Sequence, residues 1–131
     1  SPEPELAAML ARLPLRLCLF TNSTQPYSER VLQALGIREQ FATIYDIASR
    51  DWHPKPEPQA YDAVMSALGL PPAEVGFVED HVTNIVPARE LGMTVFLMRQ
   101  AHPAAHYVLD DILDLGELLR REGLCESGEP E

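Results

Sequence analysis

The sequence predicts an α/β protein built on a parallel sheet with helices on both faces. Two kinds of pattern carry that expectation. Short apolar runs, Leu15 to Phe20, Thr43 to Ile47, Val75 to Val78 and Thr94 to Met98, are near-continuous rather than alternating, as strands buried on both faces should be. Between them lie helical patterns that close alike, on Leu35-Gly36-Ile37, Leu68-Gly69-Leu70 and Leu91-Gly92-Met93. A glycine just past a helix end, followed by an apolar residue, marks a left-handed cap handing over to the next element. Strand alternating with helix implies parallel pairing through right-handed crossovers.

Taken in order, the Pro- and Glu-rich start gives way to a helix from Glu5 to Arg12, and the first strand ends at Phe20. A helix from Tyr27 to Leu35 follows, with Val31, Leu32 and Leu35 on one face. After the second strand, a helix from Gln59 to Leu68 presents Tyr61, Val64, Met65 and Leu68. A shorter helix, Asn84 to Leu91, tolerates Pro87 if that residue lies in the first turn. The last helix is expected over Ile112 to Arg121, weakened by Gly116. Residues 1–125 are expected to form one partial core domain, and residues 126–131 a disordered acidic tail.

Composition narrows the function classes. The chain has 131 residues, 46% of them hydrophobic, which suffices for a real core. Its net charge of -10 and isoelectric point near 4.7 repel polyphosphate backbones, so nucleic acid is not an expected partner. No apolar run approaches the roughly 20 residues of a membrane span, and Ser1-Pro2-Glu3-Pro4 has no signal-peptide pattern. Cys18 in an apolar strand and Cys125 in a polar tail suggest no disulfide framework, and point to a reduced, cytoplasmic protein. The chain does not begin with Met, as expected of a processed protein or a fragment of a longer one.

Three motifs occur at expected strand ends or helix-leading loops: Phe20-Thr21-Asn22-Ser23, Pro54-Lys55-Pro56 and Phe77-Val78-Glu79-Asp80. Ligands in open α/β sheets bind beyond the carboxyl ends of the strands. There, Thr21 and Asn22 offer a hydroxyl, an amide and backbone N–H groups to phosphate oxygens; the plain alternative is a turn that caps a helix. Lys55 is the only lysine beside nine arginines, held between two prolines. A compact ammonium can stand between a phosphate and a carboxylate where a guanidinium would impose a fork. Glu79 and Asp80 repel one another unless a cation or base lies between them, and hard oxygen ligands suit Mg²⁺. Asn84 either orients Lys55 or caps the following helix. His53 and His81 read as solvated loop residues, Trp52 as a packing residue, and Tyr27, Tyr45 and Tyr61 as core or semi-core.

With these motifs in this order, the chain resembles the haloacid dehalogenase (HAD)-like hydrolase superfamily, and within it the pyrimidine 5′-nucleotidase-like branch. Leu19-Phe20-Thr21-Asn22-Ser23 is similar to the family's second motif and Lys55-Pro56-Glu57-Pro58-Gln59-Ala60-Tyr61 to its third. Phe77-Val78-Glu79-Asp80, with Asn84-Ile85 and Leu91-Gly92-Met93, is similar to the fourth, and Asp110-Asp111-Ile112-Leu113-Asp114-Leu115 to the branch's closing segment. The resemblance implies a Rossmann-like core and phosphoryl transfer through an aspartyl-phosphate assisted by Mg²⁺. Thr21, Asn22 and Lys55 would bind the phosphoryl group, with Lys55 and Thr21 acting in catalysis, and Glu79 and Asp80 would hold the metal.

The family's first motif, an Asp-x-Asp pair on the first, central strand ahead of a cap domain, has no counterpart, since no Asp-x-Asp occurs in the chain. The expected function is therefore a Mg²⁺-dependent phosphomonoesterase acting on a nucleoside 5′-monophosphate, incomplete for catalysis in this chain. Alternatives are a sugar-phosphate or phosphoglycolate phosphatase, and a catalytically silent phosphate-binding or interaction module. A phospho-acceptor receiver domain fits poorly, because its acidic pair should precede the Thr and Lys. Without a central strand, backbone groups lose partners. The expectation is that a separate N-terminal segment fills the place, that two copies exchange elements, or that the flanking strands close on each other.

Overall fold

The computed structural model describes residues 1–125; the expected acidic tail lies outside the described residues. The described residues form two compact units, one of Ser1–Asp46 together with residues 112–125, the other of Ile47–Asp111.

In the first unit, helix α1 (Pro4–Arg12) precedes strand β1 (Cys18–Phe20), helix α2 (Gln25–Leu35) and strand β2 (Thr43–Tyr45). β1 and β2 pair in parallel, with Leu19 opposite Ile44. Leu10, Leu32, Ile37 and Ile44 form the buried centre, with Leu6, Met9, Leu17 and Phe41 packed against it. Gly36 caps α2 at φ +75, as the Leu-Gly-Ile pattern predicts. Of the expected face of α2, Leu32 is buried, but Val31 is exposed, and so is Tyr27, which lies beneath the Arg30 guanidinium instead of in the core. The final helix begins later than expected, as α5 (Leu115–Arg121) after a 3-10 turn at Ile112–Asp114. Gly116 belongs to this helix where it meets α1: a Cβ there would sit 3.4 Å from Met9 Cγ.

In the second unit, a 3-10 turn (Ala48–Arg50) and loop lead to helix α3 (Pro58–Leu68). Strand β3 (Gly76–Glu79), helix α4 (Val82–Leu91), strand β4 (Thr94–Met98) and strand β5 (Tyr107–Leu109) follow. The sheet runs β3-β4-β5 and every pairing is parallel. β4 buries Val95, Phe96, Leu97 and Met98, as a continuous apolar run should. β3 alternates instead: Phe77 and Glu79 point inward, while Gly76 and Val78 are exposed. A Cβ at Gly76 would come within 3.2 Å of Phe96 Cε1, so the ring would have to give way by a few tenths of an ångström to admit one. Pro87 lies in the second turn of α4, not the first, because the helix starts at Val82. Its ring removes one intrahelical hydrogen bond.

Strand β5 was not expected from the sequence. Its ring stack, Tyr107 on Phe96 with centroids 5.3 Å apart, supplies packing that three residues cannot advertise by periodicity. At its start His106 pairs with Val95 twice: its N–H donates to the Val95 carbonyl, and its Nδ1 accepts the Val95 N–H at 2.9 Å. Burial, and secondarily the charge of Arg89, lowers the His106 pKa and so favours the neutral ring that can accept. The fold class is thus the expected one, α/β with parallel sheets and flanking helices.

Candidate functional site

The Lys55–Glu79 pair organises the second unit's chemistry. Alternation along β3 turns Phe77 and Glu79 to the same, inner face. A carboxylate so buried must find donors, and Glu79 accepts from four groups. Lys55 Nζ (2.9 Å) and Asn84 Nδ2 (3.1 Å) donate to Oε1, while the Asp80 N–H (2.9 Å) and His81 N–H (3.1 Å) donate to Oε2. Burial would raise the Glu79 pKa, but hydrogen bonds from Asp80 and Lys55, with the charge of Lys55, hold it well below the usual carboxylate range. The Lys55 and Glu79 side chains are 10% and 6% exposed.

Each partner is itself positioned. Lys55 enters from the loop before α3, and its Nζ lies 5.8 Å from the centroid of the Phe77 ring. Asn84 stands in the first turn of α4, and its backbone carbonyl accepts the buried Tyr61 hydroxyl. Tyr61 packs edge-on against Phe77, and burial, then the Glu79 charge, raises its pKa so that it stays a donor. Asn84 and Lys55 thus share one acceptor, Glu79 Oε1. Asp80 faces solvent: its side chain is 54% exposed, with His81 Nε2 3.9 Å away. The Asp80 carbonyl accepts from Gln100 Nε2 at 2.8 Å.

In the first unit, Thr21 follows β1, and its Oγ1 accepts the Ser23 N–H at 3.0 Å, closing a tight turn. Its own N–H donates to the Tyr45 carbonyl. Asn22 is the exposed residue of this turn. The start of α2 is capped from a distance, with buried Asp46 accepting the Gln25 N–H at 2.9 Å. Sequence reasoning missed Asp46 and the buried Arg50, whose Nε donates to the His53 carbonyl at 3.2 Å. The signal that could have found them is their place: each is a charged residue in the short stretch that directly follows the apolar run of β2. Trp52, expected to pack, is 65% exposed.

Among the described residues no three His, Cys, Asp or Glu side chains group so as to hold a metal. Glu79 has its oxygens filled by protein donors, whereas Asp80 suits an ion that takes one carboxylate and keeps several waters. No helix is long and apolar enough to cross a membrane among the described residues.

The chain belongs to the haloacid dehalogenase-like hydrolase family, whose model matches residues 2–92. It is 30% identical over 118 residues to the N-acetylmuramic acid 6-phosphate phosphatase of Pseudomonas aeruginosa, covering 85% of this chain and 51% of that protein. It is 28% identical over 96 residues to the (S)-2-haloacid dehalogenase of Xanthobacter autotrophicus, covering 72% of this chain and 38% of the relative. The structure of the L-2-haloacid dehalogenase from Xanthobacter autotrophicus shares the fold, with a TM-score of 0.77 at 22% identity, over 89% of this chain and 60% of that one. The chain thus spans about half or less of the length of these two curated relatives.

Proposed function

We propose that this chain carries the phosphoryl- and Mg²⁺-binding part of a phosphomonoester hydrolase of the pyrimidine 5′-nucleotidase-like branch, acting on nucleoside 5′-monophosphates. The observation that carries the reading is the buried Lys55 ammonium fixed by Glu79, which Asn84 and two backbone N–H groups hold in turn. A cation pre-oriented in this way costs little reorganisation when a phosphoryl group arrives and gains charge in the transition state. Lys55 binds and neutralises that charge. Thr21 and Asn22 add the hydroxyl and amide that the family's second motif assigns to phosphate binding. Asp80 would hold the metal, while Glu79 positions Lys55. When bound, Mg²⁺ would act as a Lewis acid toward the phosphoryl oxygens.

The attacking Asp of the family has no counterpart in this sequence, so we further propose that the chain alone binds but does not turn over, and that a separate N-terminal segment or second copy completes it. Phosphate release from an aryl phosphate and from UMP with Mg²⁺ tests this, alongside calorimetric titration with inorganic phosphate. We expect binding without release. Turnover that disappears in Lys55→Arg would sink the missing-nucleophile part, and a folded chain that binds no phosphate would sink the site itself.

A further inference from the structure

Among the described residues, the non-glycine residues with positive φ are Asp51 (φ 52), Trp52 (φ 63) and Arg99 (φ 62). All belong to the second unit. Arg99 directly follows the carboxyl end of β4, and the next residue, Gln100, bonds the Asp80 carbonyl. Asp51 and Trp52 precede Lys55, which is fixed at the carboxyl end of β3. Left-handed backbone at consecutive side-chain-bearing residues persists only where the surroundings impose it, and such strain gathers at functional sites.

Here the surroundings do impose it. The Trp52 N–H donates to the Ile47 carbonyl and the His53 N–H to the Arg50 carbonyl, both at 3.0 Å. Buried Arg50 braces the His53 carbonyl, and His53 Nδ1 meets Glu57 Oε2 at 3.1 Å. A loop braced in this way nevertheless leaves the chain's one tryptophan 65% exposed. Indoles are costly to leave in water, and an exposed one on a braced backbone is suited to stacking on a planar ring. Three residues of chain place the Trp52 Cα within about 11 Å of the Lys55 Cα.

We infer that Trp52 is a leaving-group contact: its indole stacks on the ring of a phosphomonoester whose phosphate lies at Lys55, a nucleobase being the ring of matching chemistry. The inference rests on the phosphate site proposed above and gives the core, rather than a cap, a share in substrate choice. The full chain in Mg²⁺ is titrated with inorganic phosphate, glucose 6-phosphate and UMP, following Trp52 emission and heat of binding. UMP is expected to quench the emission and to bind about tenfold tighter than inorganic phosphate, within the range of base–aromatic stacking. Glucose 6-phosphate should leave the emission unchanged. Trp52→Ala should erase that preference, and Trp52→Phe should keep most of it. If Trp52→Ala does not fold, the emission titration and Trp52→Phe decide. Phosphate binding with no preference for UMP overturns this inference alone; absence of all phosphate binding overturns the underlying site as well. Emission that changes with protein concentration and not with UMP makes Trp52 a self-association contact and also overturns it.

Discussion

Glu79 is 7% exposed and accepts four hydrogen bonds, whereas Asp80, the next residue, turns its carboxylate to solvent. The strand's two-residue period separates them: Glu79 ends β3 on its inner face, and Asp80 begins the loop. An acid pair that reads as two equal ligands is thus divided in labour. One carboxylate is spent inside the protein, holding a lysine and the start of a helix, and the other is exposed to solvent. The difference is testable because the two roles predict opposite responses to substitution.

The largest effect belongs to the inner carboxylate's partner. Lys55→Met leaves Glu79 buried without its cation, and breaking one side of a buried pair costs about 3–5 kcal/mol. Urea denaturation should show a loss of that size. If Lys55→Met and Glu79→Gln are combined, the double variant should recover part of it; additive losses would mean that the two side chains are not coupled. The pH dependence follows from the same burial. Glu79's native pKa lies below its ordinary value of 4.5, so its contribution is full above that pH and is lost as pH falls through the lowered native value. Thermal melts between pH 6 and 3 should therefore fall for the parent chain and fall less steeply for Glu79→Gln.

A smaller effect marks the next shell. Asn84→Ala removes one hydrogen bond to Glu79 and should cost about 1–2 kcal/mol by chemical denaturation, since the carboxylate keeps its other donors. A loss as large as that of Lys55→Met would mean that the amide, not the ammonium, holds Glu79 in place.

The sequence showed this site unevenly, for physical reasons. Gly36, Gly69 and Gly92 announced three helix ends, and all three have positive φ, because a left-handed cap is a local requirement that leaves a local residue. Strand β4 was legible to its ends, as burial on both faces demands a continuous apolar run. β5 was not: three residues carry no period, and the side chain of the histidine before it adds a bond to β4 that no pattern announces. Lys55, Glu79 and Asn84 were legible as candidates from their type and order. Their division of labour was not, because it depends on which face of β3 is buried and on where α4 begins. Trp52 was misread as packing for a related reason: nothing in the letters Asp-Trp-His announces two left-handed residues in a row.

Asp80→Asn completes the comparison and is the smallest expected change in stability. The side chain is exposed, and surface substitutions of this kind stay within about 0.5 kcal/mol, so its denaturation midpoint should match the parent's. Its backbone N–H and carbonyl keep their bonds to Glu79 and Gln100 whatever the side chain carries. The response to magnesium should nevertheless disappear, because an amide oxygen lacks the charge that draws a hard cation out of water. Calorimetric titration with MgCl₂ in the presence of inorganic phosphate measures this directly. Loss of magnesium binding at unchanged stability would establish Asp80 as the ligand and Glu79 as its structural neighbour. If Asp80→Asn binds magnesium as the parent does while Glu79→Gln does not, the roles are reversed, and the hydrogen bonds around Glu79 must rearrange when the ion arrives.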